Sequence, residues 1–292
     1  MNEKYYVYYD ENYPSSWISE DSAKKIVEFF TSKYNFKEIN SEELARVMNE
    51  SLNIHNEVVV VFSQDVIPDT VVDNPKSPSE NSLVKRFLLQ GHTIVWMGDI
   101  PLLYLGHSKH EKSTLGRAGY NLFYPDLPSD FEMPDNPLAK SQQINITYYG
   151  ALFGLIHRWD SWRPIPQNWS LPKPPLMRPM FYALTQYYTG TGYRFSSYII
   201  DYGGYGFRGL IRLYDCKLPD ISAEMLEQVA RIIFFRNPTG IEEMIGHIHD
   251  ELRKLKEDLE GRFDAIKSDL SRIGESIREA LTILREKEKG RE

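Results

Sequence analysis

The most informative segment of the chain reads Glu57-Val-Val-Val-Val-Phe62, a run of β-branched residues that ends in an aromatic one. A second apolar run, Thr93-Ile-Val-Trp-Met97, follows after one helical pattern. Strands that are apolar on both faces are typical of the centre of a parallel sheet, because helices cover such a sheet on both sides. The two runs therefore predict the central strands of an α/β domain.

Strand and helix patterns alternate around these two runs. The predicted elements are a first strand at 5–9, a helix capped by Ser19, a brief strand at 36–39, a helix that opens at Ser41, and a helix at 80–89. Such alternation predicts right-handed crossovers and a parallel sheet. The predicted fold class is α/β, a flavodoxin-like parallel sheet with helices on both faces.

The pattern loosens in the second half of the domain. The predicted elements here are a helix at 145–155 packed on the sheet, strands at 194–201 and 206–214 joined by a glycine-rich turn, and an amphipathic helix at 221–235. The proline-rich stretch 164–179 predicts irregular structure. Asn237-Pro238 ends the predicted domain, which spans residues 1–238.

Residues 239–292 predict a long coiled-coil helix. Apolar residues alternate at spacings of three and four, with one slip of four after Leu259, and we call them the seam residues. They are Ile245, Ile248, Leu252, Leu255, Leu259, Phe263, Ile266, Leu270, Ile273, Ile277 and Leu284, with Ala280 filling one more position. A heptad pattern sustained over this length indicates that helices pair along the seam. The slip is a stutter that should locally unwind the supercoil.

Self-association is the predicted role of this helix. Leu at a positions combined with Ile at d positions favours trimers or tetramers, and Glu251 and Lys256 at g and e positions favour parallel pairing. A single helix lying on its own domain would need a matching groove of that length. A helical hairpin broken at Gly261 or Gly274, or pairing with another protein subunit, also stays open.

Composition narrows the function classes. The net charge is −7, and no Lys/Arg-rich block lies outside the terminal helix, which argues against nucleic acid as a partner. No apolar run approaches the roughly 20 residues that cross a bilayer. Cys216 is the only cysteine, which excludes an internal disulfide and fits a reducing compartment. Because the N-terminus runs straight into a strand pattern rather than a signal peptide, we expect a cytoplasmic protein.

The order of strands also resembles a known superfamily. Val58-Val-Val-Val-Phe62, a helix, and Gln90-Gly-His-Thr-Ile-Val-Trp-Met-Gly-Asp-Ile-Pro101 resemble class I glutamine amidotransferase-like domains, and in particular the trehalose-utilisation (ThuA-like) branch. The resemblance covers residues 4–105 and extends more faintly to 238. It implies an elbow at 97–101, where catalytic members carry a cysteine nucleophile. Gly98 occupies that position, which implies that amidotransferase chemistry is lost.

Polar residues at the carboxyl ends of the predicted strands form one candidate binding site. Asp10, Gln64 and Asp99 follow three of these strands, where ligands of open parallel sheets bind. Their oxygens could converge on a polar ligand or a hard cation. The alternative is that Asp10 and Asp99 cap the loops or helices that follow.

A second candidate site lies in the segment His157-Arg-Trp-Asp-Ser-Trp-Arg163. Trp159 and Trp162 could stack on a sugar or a base, while Arg158 and Arg163 could bind a carboxylate or a phosphate. The alternative is a segment that its aromatic residues anchor beneath the proline-rich stretch. His107, His110 and Glu111 would be a zinc fragment, but no further ligand has suitable spacing, so we predict neither a metal nor a cofactor.

The sequence predicts a non-catalytic protein, an oligomeric scaffold or a ligand- or partner-binding protein built on a degenerate amidotransferase-like domain. The missing nucleophile and the strong association signal favour it, although fold alone does not dictate function. The alternative is a hydrolase that acts on a sugar or nucleotide-like small molecule through Asp99 and the segment 157–163.

Overall fold

The computed structural model describes residues 4–124, 142–166, 180–190, 192–236, 249 and 252–274. The chain divides into two compact units, Met1–Gly240 and Ile241–Glu292. Four of the predicted seam residues lie outside the described residues: Ile245, Ile248, Ile277 and Leu284. Within the described part of the chain, every helix is too short or too polar to cross a lipid bilayer.

Seven helices are described. In chain order they are α1 (Glu20–Tyr34), α2 (Ser41–Ser51), α3 (Leu83–Leu89), α4 (Arg117–Phe123), α5 (Tyr148–Leu152), α6 (Ala223–Phe235) and α7 (252–274). The predicted cap of α1 is confirmed, because the Ser19 side chain accepts a hydrogen bond from the backbone N–H of Ser22. In α2, Asn40 and Glu43 form a reciprocal capping box, so the helix starts one residue after Asn40.

Sixteen short strands lie in the described residues of the first unit. They are β1 (Tyr5–Tyr8), β2 (Lys37–Ile39), β3 (Val59–Phe62), β4 (Ile67–Pro68), β5 (Thr93–Met97), β6 (Tyr104–His107), β7 (Glu111–Thr114), β8 (Gln142–Gln143), β9 (Asn145–Ile146), β10 (Asp160–Ser161), β11 (Ile165–Pro166), β12 (Met180–Ala183), β13 (Thr185–Tyr188), β14 (Tyr193–Phe195), β15 (Tyr198–Asp201) and β16 (Leu210–Leu213).

A seven-stranded sheet forms the centre of this unit, in the order β12-β15-β16-β5-β3-β1-β2. The five strands from β16 to β2 run parallel to one another. At one side, β15 pairs antiparallel with β16, and β12 pairs antiparallel with β15. The prediction of an α/β fold with a largely parallel central sheet is therefore confirmed. Three smaller sheets accompany it, one of which consists of β4, β6 and β7.

The central strands are buried on both faces, as their composition predicts. Val60 and Phe62 of β3 join a core with Leu44 of α2 and Phe87 of α3. Val61, which points to the opposite face, is equally inaccessible to solvent. Burying a Val or Ile side chain contributes about 1.5–3 kcal/mol, so these strands anchor the whole unit.

The predicted joining of two strands by a glycine-rich turn is confirmed for β15 and β16, but the predicted strand at 194–201 is divided into β14 and β15, which lie in different sheets. One carboxylate organises the turn. Asp201 accepts hydrogen bonds from the backbone N–H groups of Gly203, Gly204, Tyr205 and Gly206 at 2.7–3.2 Å. Because these four N–H groups already bind the Asp201 carboxylate, they are not available to bind a phosphate.

The predicted helix at 145–155 is wrong in its first part. The structure has β9 there, and α5 begins only after Thr147. The Thr147 hydroxyl accepts a hydrogen bond from the N–H of Gly150 and donates one to the carbonyl of Ala183. This side chain therefore both caps the helix and ties its start to β12.

The second unit contains α7, which has no buried face in a single chain. Its seven described seam residues are 47–69% exposed. Gly261 lies inside the continuous helix, so the alternative of a hairpin broken at that glycine is wrong. Helix formation over the described seam is confirmed, and the pairing of helices stays a prediction.

Candidate functional site

Three central strands end at the same edge of the sheet. Asp10 follows β1, Gln64 and Asp65 follow β3, and Gly98 and Asp99 follow β5. Because β1, β3 and β5 are parallel neighbours, these side chains lie at one edge, as the sequence predicts. All five residues are buried.

Gly98 is the residue at which the predicted amidotransferase-like resemblance would place a nucleophile. Its φ of +80° lies in the left-handed region, and a Cβ at this position would lie 2.7 Å from Oδ2 of Asp65 and 3.0 Å from Cγ1 of Ile18. Real Cβ atoms do not approach other atoms so closely. The space that a cysteine side chain would need is therefore filled by Asp65.

Asp65 is fixed in that space by backbone donors. Its carboxylate accepts hydrogen bonds from the N–H groups of Ser16 at 2.7 Å, Trp17 at 2.8 Å and Asp99 at 2.9 Å. Burial raises the pKa of Asp65, and these three bonds oppose the rise because they favour the charged form. The carboxylate thus joins the ends of β3 and β5 to the segment that follows β1.

The Asp99 carboxylate forms an ion pair close to Asp65. One carboxylate oxygen contacts Nη1 of Arg163, and the other accepts a hydrogen bond from the Ser16 hydroxyl at 3.1 Å. Asp99 is 0% and Arg163 is 3% exposed. The indole ring of Trp17 lies over the guanidinium at 4.5 Å. The structure therefore brings Asp99 and Arg163 together as a buried ion pair.

Asp10 and Gln64 form a second pair. The Gln64 side chain accepts from the backbone N–H of Asp10 at 2.9 Å and donates to its carbonyl at 3.1 Å. The Asp10 carboxylate accepts from the N–H of Ser41 at 3.1 Å and from its hydroxyl at 2.7 Å. Burial would raise the pKa of Asp10, but these bonds outweigh it and lower the pKa. Asp10 thus supports the start of α2. Its carboxylate also accepts a hydrogen bond from the N–H of Asn12 at 3.0 Å and so caps the loop that follows β1, as its capping alternative predicts.

Two cavities open at this edge. Asp10 lines the larger cavity, of about 370 Å³, together with Asn12, Tyr13, Ser41 and Thr70. Gln64 lines the smaller one, of about 260 Å³. Asp99 lines neither of these two cavities. The three predicted oxygen ligands therefore do not face a common space.

Known proteins resemble this chain in sequence. An uncharacterized protein, MJECL34, of Methanocaldococcus jannaschii is 31% identical over 295 aligned positions, which cover 97% of this chain and 92% of that protein. Residues 3–235 match the MJECL34 family. The chain belongs to the MJECL34 family. No solved structure matches the chain.

In this MJECL34-family chain the tryptophan–arginine segment is anchored by a residue that sequence reasoning did not single out. The buried Asp215 carboxylate accepts from Nε1 of Trp159 at 3.1 Å, from the hydroxyl of Ser161 at 2.7 Å and from the backbone N–H of Arg163 at 3.1 Å. Trp159 packs on the ring of Tyr214, 4.6 Å away between centroids. Its ring is thus used internally, as the anchoring alternative predicts.

The remaining members of that segment are more accessible. Arg158 is exposed and Trp162 is half-buried, and the structure does not bring Arg158 into the Asp99 cluster. Cys216 follows Asp215, and burial raises the pKa of its thiol to about 12. A thiol that stays protonated at neutral pH is a poor nucleophile.

The histidine-rich stretch forms the hairpin of β6 and β7. His107 contacts Asp69 and Ser113, while Lys109 and His110 occupy the left-handed region of the turn. No group of three or more His, Cys, Asp or Glu residues is placed to hold a metal ion in the ranges that the structure describes. Of the three residues considered as a zinc fragment, His107 is used in side-chain hydrogen bonds.

Proposed function

We propose that this MJECL34-family chain is a non-catalytic oligomeric scaffold, or a protein that binds a ligand or partner, and that it displays a degenerate amidotransferase-like domain several-fold. The observation that carries the proposal is the apolar stripe of α7, whose seven described seam residues are all at least 47% exposed in a single chain. The occupant that we assign to the stripe is the same helix of further copies of the chain.

The strand order supports a flavodoxin-like domain. Numbered along the chain, the five parallel strands of the sheet lie in the order second, first, third, fourth, fifth. That order is typical of flavodoxin-like sheets, in which ligands bind beyond the carboxyl ends of the strands. It is also compatible with the amidotransferase-like resemblance, because that resemblance is based on the same succession of strands.

The filled elbow supports the loss of amidotransferase chemistry. Gly98 has no nucleophile, and Asp65 occupies the space in which a side chain would lie. Asp99 is buried against Arg163, so its carboxylate has no access to a substrate. These contacts weigh against the alternative of a hydrolase that works through Asp99, and they favour a structural role for the cluster.

The properties of an isolated helix support association through α7. A helix without tertiary contacts is marginal in water, and most helical stability in proteins comes from packing of an apolar face. The exposed ion pairs along α7, such as Arg262 with Asp258 at 3.0 Å, contribute only about 0.3–0.5 kcal/mol each. Burial of the seam against sister helices supplies the missing stabilisation, and a parallel trimer or tetramer fits the a and d residues. The single cysteine fits a cytoplasmic location.

Light scattering on the full chain and on a chain that lacks residues 239–292 tests this proposal. We expect the full chain to have three or four times the mass of one 34.1 kDa subunit, and the shortened chain to be a single subunit. A full chain that travels as one subunit at micromolar concentration would overturn the scaffold. Substitution of Asp99→Ala tests the elbow, because the proposal predicts no change in turnover against a panel of metabolites.

A further inference from the structure

The larger of the two cavities at the sheet edge has no part in the elbow, the buried ion pair or the terminal helix. We call it the α2 cavity, because Asn40, Ser41 and Glu42 at the start of α2 are among the residues that line it. The loop after β1 and the hydroxyl-bearing residues Thr70 and Ser108 also line it. Its volume of about 370 Å³ lies within the range of small-molecule sites.

The topology of the sheet explains where this cavity lies. The chain passes from β1 to β2 in one direction, and α2 then leads back past β1 to β3 on its other side. The start of α2 therefore lies beside the end of β1, where the N–H of Ser41 donates to the Asp10 carboxylate. Ligands of open parallel sheets bind beyond the strand ends, at the point where the strand order reverses.

The α2 cavity carries negative charge. Asp10 and Glu42 are among its described lining residues, whereas no Lys or Arg is. Burial would raise the pKa of Asp10, but hydrogen bonds from Ser41 and Asn12 lower it, so the carboxylate is charged at neutral pH. Two carboxylates without a cationic side chain in the same wall attract a cation and repel an anion.

The hydrogen bonds of Asp10 indicate which kind of cation fits. Its carboxylate already accepts two bonds from Ser41 and two from Asn12, at 2.7–3.3 Å. A carboxylate has about four acceptor positions, so Asp10 can attract a cation by its charge but has no position left to coordinate a metal ion. Glu42 is exposed, and its side chain makes no hydrogen bond or ion pair with a described residue. Its carboxylate is therefore available to an ammonium group.

Neutral oxygen atoms accompany Glu42 in the lining. The Thr70 hydroxyl donates its proton to the carbonyl of Ser41 at 2.9 Å, so its oxygen is left as an acceptor. The Asn12 amide nitrogen donates to Asp10 at 3.3 Å, and its amide oxygen is an acceptor as well. A primary ammonium group has three N–H donors and no acceptor. It thus matches a cavity that offers carboxylate, amide and hydroxyl oxygens.

A buried hydroxyl close to the cavity indicates a second kind of group on the ligand. Tyr8 is 0% exposed, and its hydroxyl has no hydrogen-bond partner among the residues that the structure describes. Burial raises the pKa of this phenol, and the nearby Asp10 and Tyr13, which both line the cavity, add to the rise. Leaving a buried donor unsatisfied is costly. A hydroxyl oxygen on a ligand would supply the acceptor.

We propose that the α2 cavity binds an amino polyol, a small primary amine that carries several hydroxyl groups. The charge of Asp10 attracts its ammonium group, which donates hydrogen bonds to Glu42, and its hydroxyl groups bind the neutral polar residues of the cavity and Tyr8. The assignment rests on the proposed function, in its form of a protein that binds a ligand, and it names the class of that ligand. Binding makes and breaks no covalent bond, in agreement with a non-catalytic role.

Three probes with the same six-carbon chain test both halves of this assignment on the full-length protein. Glucamine has a primary amine and hydroxyl groups, sorbitol has a hydroxyl group in place of the amine, and hexylamine has the amine without hydroxyl groups. Calorimetric titration should give a dissociation constant of about 1 mM or below for glucamine. Sorbitol and hexylamine should each bind at least about 10-fold more weakly, because each lacks one set of hydrogen bonds.

Two substitutions locate the site. Glu42→Gln should weaken the binding of glucamine about 10-fold and leave that of sorbitol unchanged, because only the ammonium group needs the charge. Glu50→Gln is the matched control, since Glu50 is exposed on the same helix and lines neither cavity at the sheet edge; it should bind glucamine as the wild type does. Tyr8→Phe should weaken glucamine binding about 2- to 10-fold. Circular dichroism verifies that each variant folds.

The site would be overturned if glucamine shows no saturable binding, or if sorbitol or hexylamine binds as tightly. Equal affinity of the wild type and the folded Glu42→Gln variant for glucamine would overturn it as well. Light scattering separates this result from the oligomer. A trimer or tetramer that does not bind glucamine refutes the α2 cavity alone, whereas a single subunit that binds glucamine refutes the scaffold alone.

Discussion

The α/β unit and the terminal helix contain the same apolar residue types in opposite surroundings. In β3 and β5 the Val, Ile and Phe side chains are at most 1% exposed, whereas in α7 the Leu, Ile and Phe side chains of the seam are 47–69% exposed. The central strands of the first unit bury their apolar side chains within one chain. The second unit does not, and each seam residue that becomes buried would contribute about 1.5–3 kcal/mol.

Charged residues differ between the two regions in the same way. Asp99 and Arg163 are buried and neutralise each other, whereas Asp258 and Arg262 of α7 form an ion pair in which both side chains are more than half exposed. Breaking a buried pair leaves a charge that water cannot reach, while breaking an exposed pair returns both groups to solvent. Burial, rather than residue type, therefore decides which substitutions matter.

The largest effect is expected from polar residues in the seam. The double substitution Leu259→Asp and Phe263→Asp should abolish association and the helical signal of residues 239–292, because charges cannot be buried between helices. Light scattering and circular dichroism measure both. The control Asp264→Ala with Ser268→Ala, outside the seam, should keep the wild-type mass. A dissociated control, or an unchanged mass of the seam variant, contradicts pairing through these residues.

A smaller effect is expected when the buried ion pair is broken. Asp99→Ala should lower the free energy of unfolding by about 3–5 kcal/mol, because a buried guanidinium loses its carboxylate. Asp258→Ala, which breaks the exposed pair of α7, should change it by less than about 0.5 kcal/mol. Urea unfolding at one fixed protein concentration compares the two, since association shifts apparent stability. Equal losses would show that the Asp99 cluster is open to water.

The elbow itself is tested by two glycines with nearly the same backbone. Gly98 and Gly206 have φ values of +80° and +78°, but a Cβ on Gly206 meets no atom within 4 Å. Gly206→Ala should therefore cost only the left-handed strain of about 1–2 kcal/mol. Gly98→Ala should cost about 1–3 kcal/mol more, because its Cβ displaces Asp65. Equal thermal shifts of the two variants would mean that Asp65 does not fill the elbow.

The smallest effect is expected at an exposed carboxylate. Burial would raise the pKa of Asp73, but hydrogen bonds from Ser79 and Ser82 outweigh it and lower the pKa to about 2. A lowered pKa contributes stability above the ordinary value of 3.8, and this contribution is lost as the pH falls toward 2. Asp73→Asn should remove that part of the pH dependence of the free energy of unfolding. The change should be less than about 1 kcal/mol, because the Asp73 carboxylate is exposed. Thermal melts of the wild type and the variant between pH 5 and pH 2 measure this change. If the stabilities of the two proteins fall in parallel as the pH is lowered, the lowered pKa of Asp73 is refuted.

Much of the first half of the fold could be predicted from the sequence. Thr93–Met97 forms a strand at the predicted residues, because a short apolar run that is rich in β-branched residues favours a buried strand. The stretch 145–155 was harder, since a short aromatic run fits a strand or a helix equally well. Tertiary contacts separate β9 from α5: the Thr147 hydroxyl bonds to the carbonyl of Ala183, and β9 pairs with β13.

The candidate sites were predictable only as isolated residues. Asp99 and Arg163 were named from the sequence, but 64 positions separate them, and no local pattern indicates their pairing. Asp65 and Asp215 were missed as anchors because a carboxylate that serves backbone N–H groups leaves no sequence motif. The contacts of His107 with Asp69 and Ser113 depend on the register of β6 with β7 and on the segment that follows β4, which sequence periodicity does not specify.

Amide hydrogen exchange of residues 252–274 across a dilution series tests the central claim most directly. If sister helices bury the seam, protection of these amides should be strong at high protein concentration and should disappear on dilution, while protection of β3 and β5 stays constant. Protection of residues 252–274 that is the same at every concentration would contradict the account, because the helix would then be stabilised within a single chain.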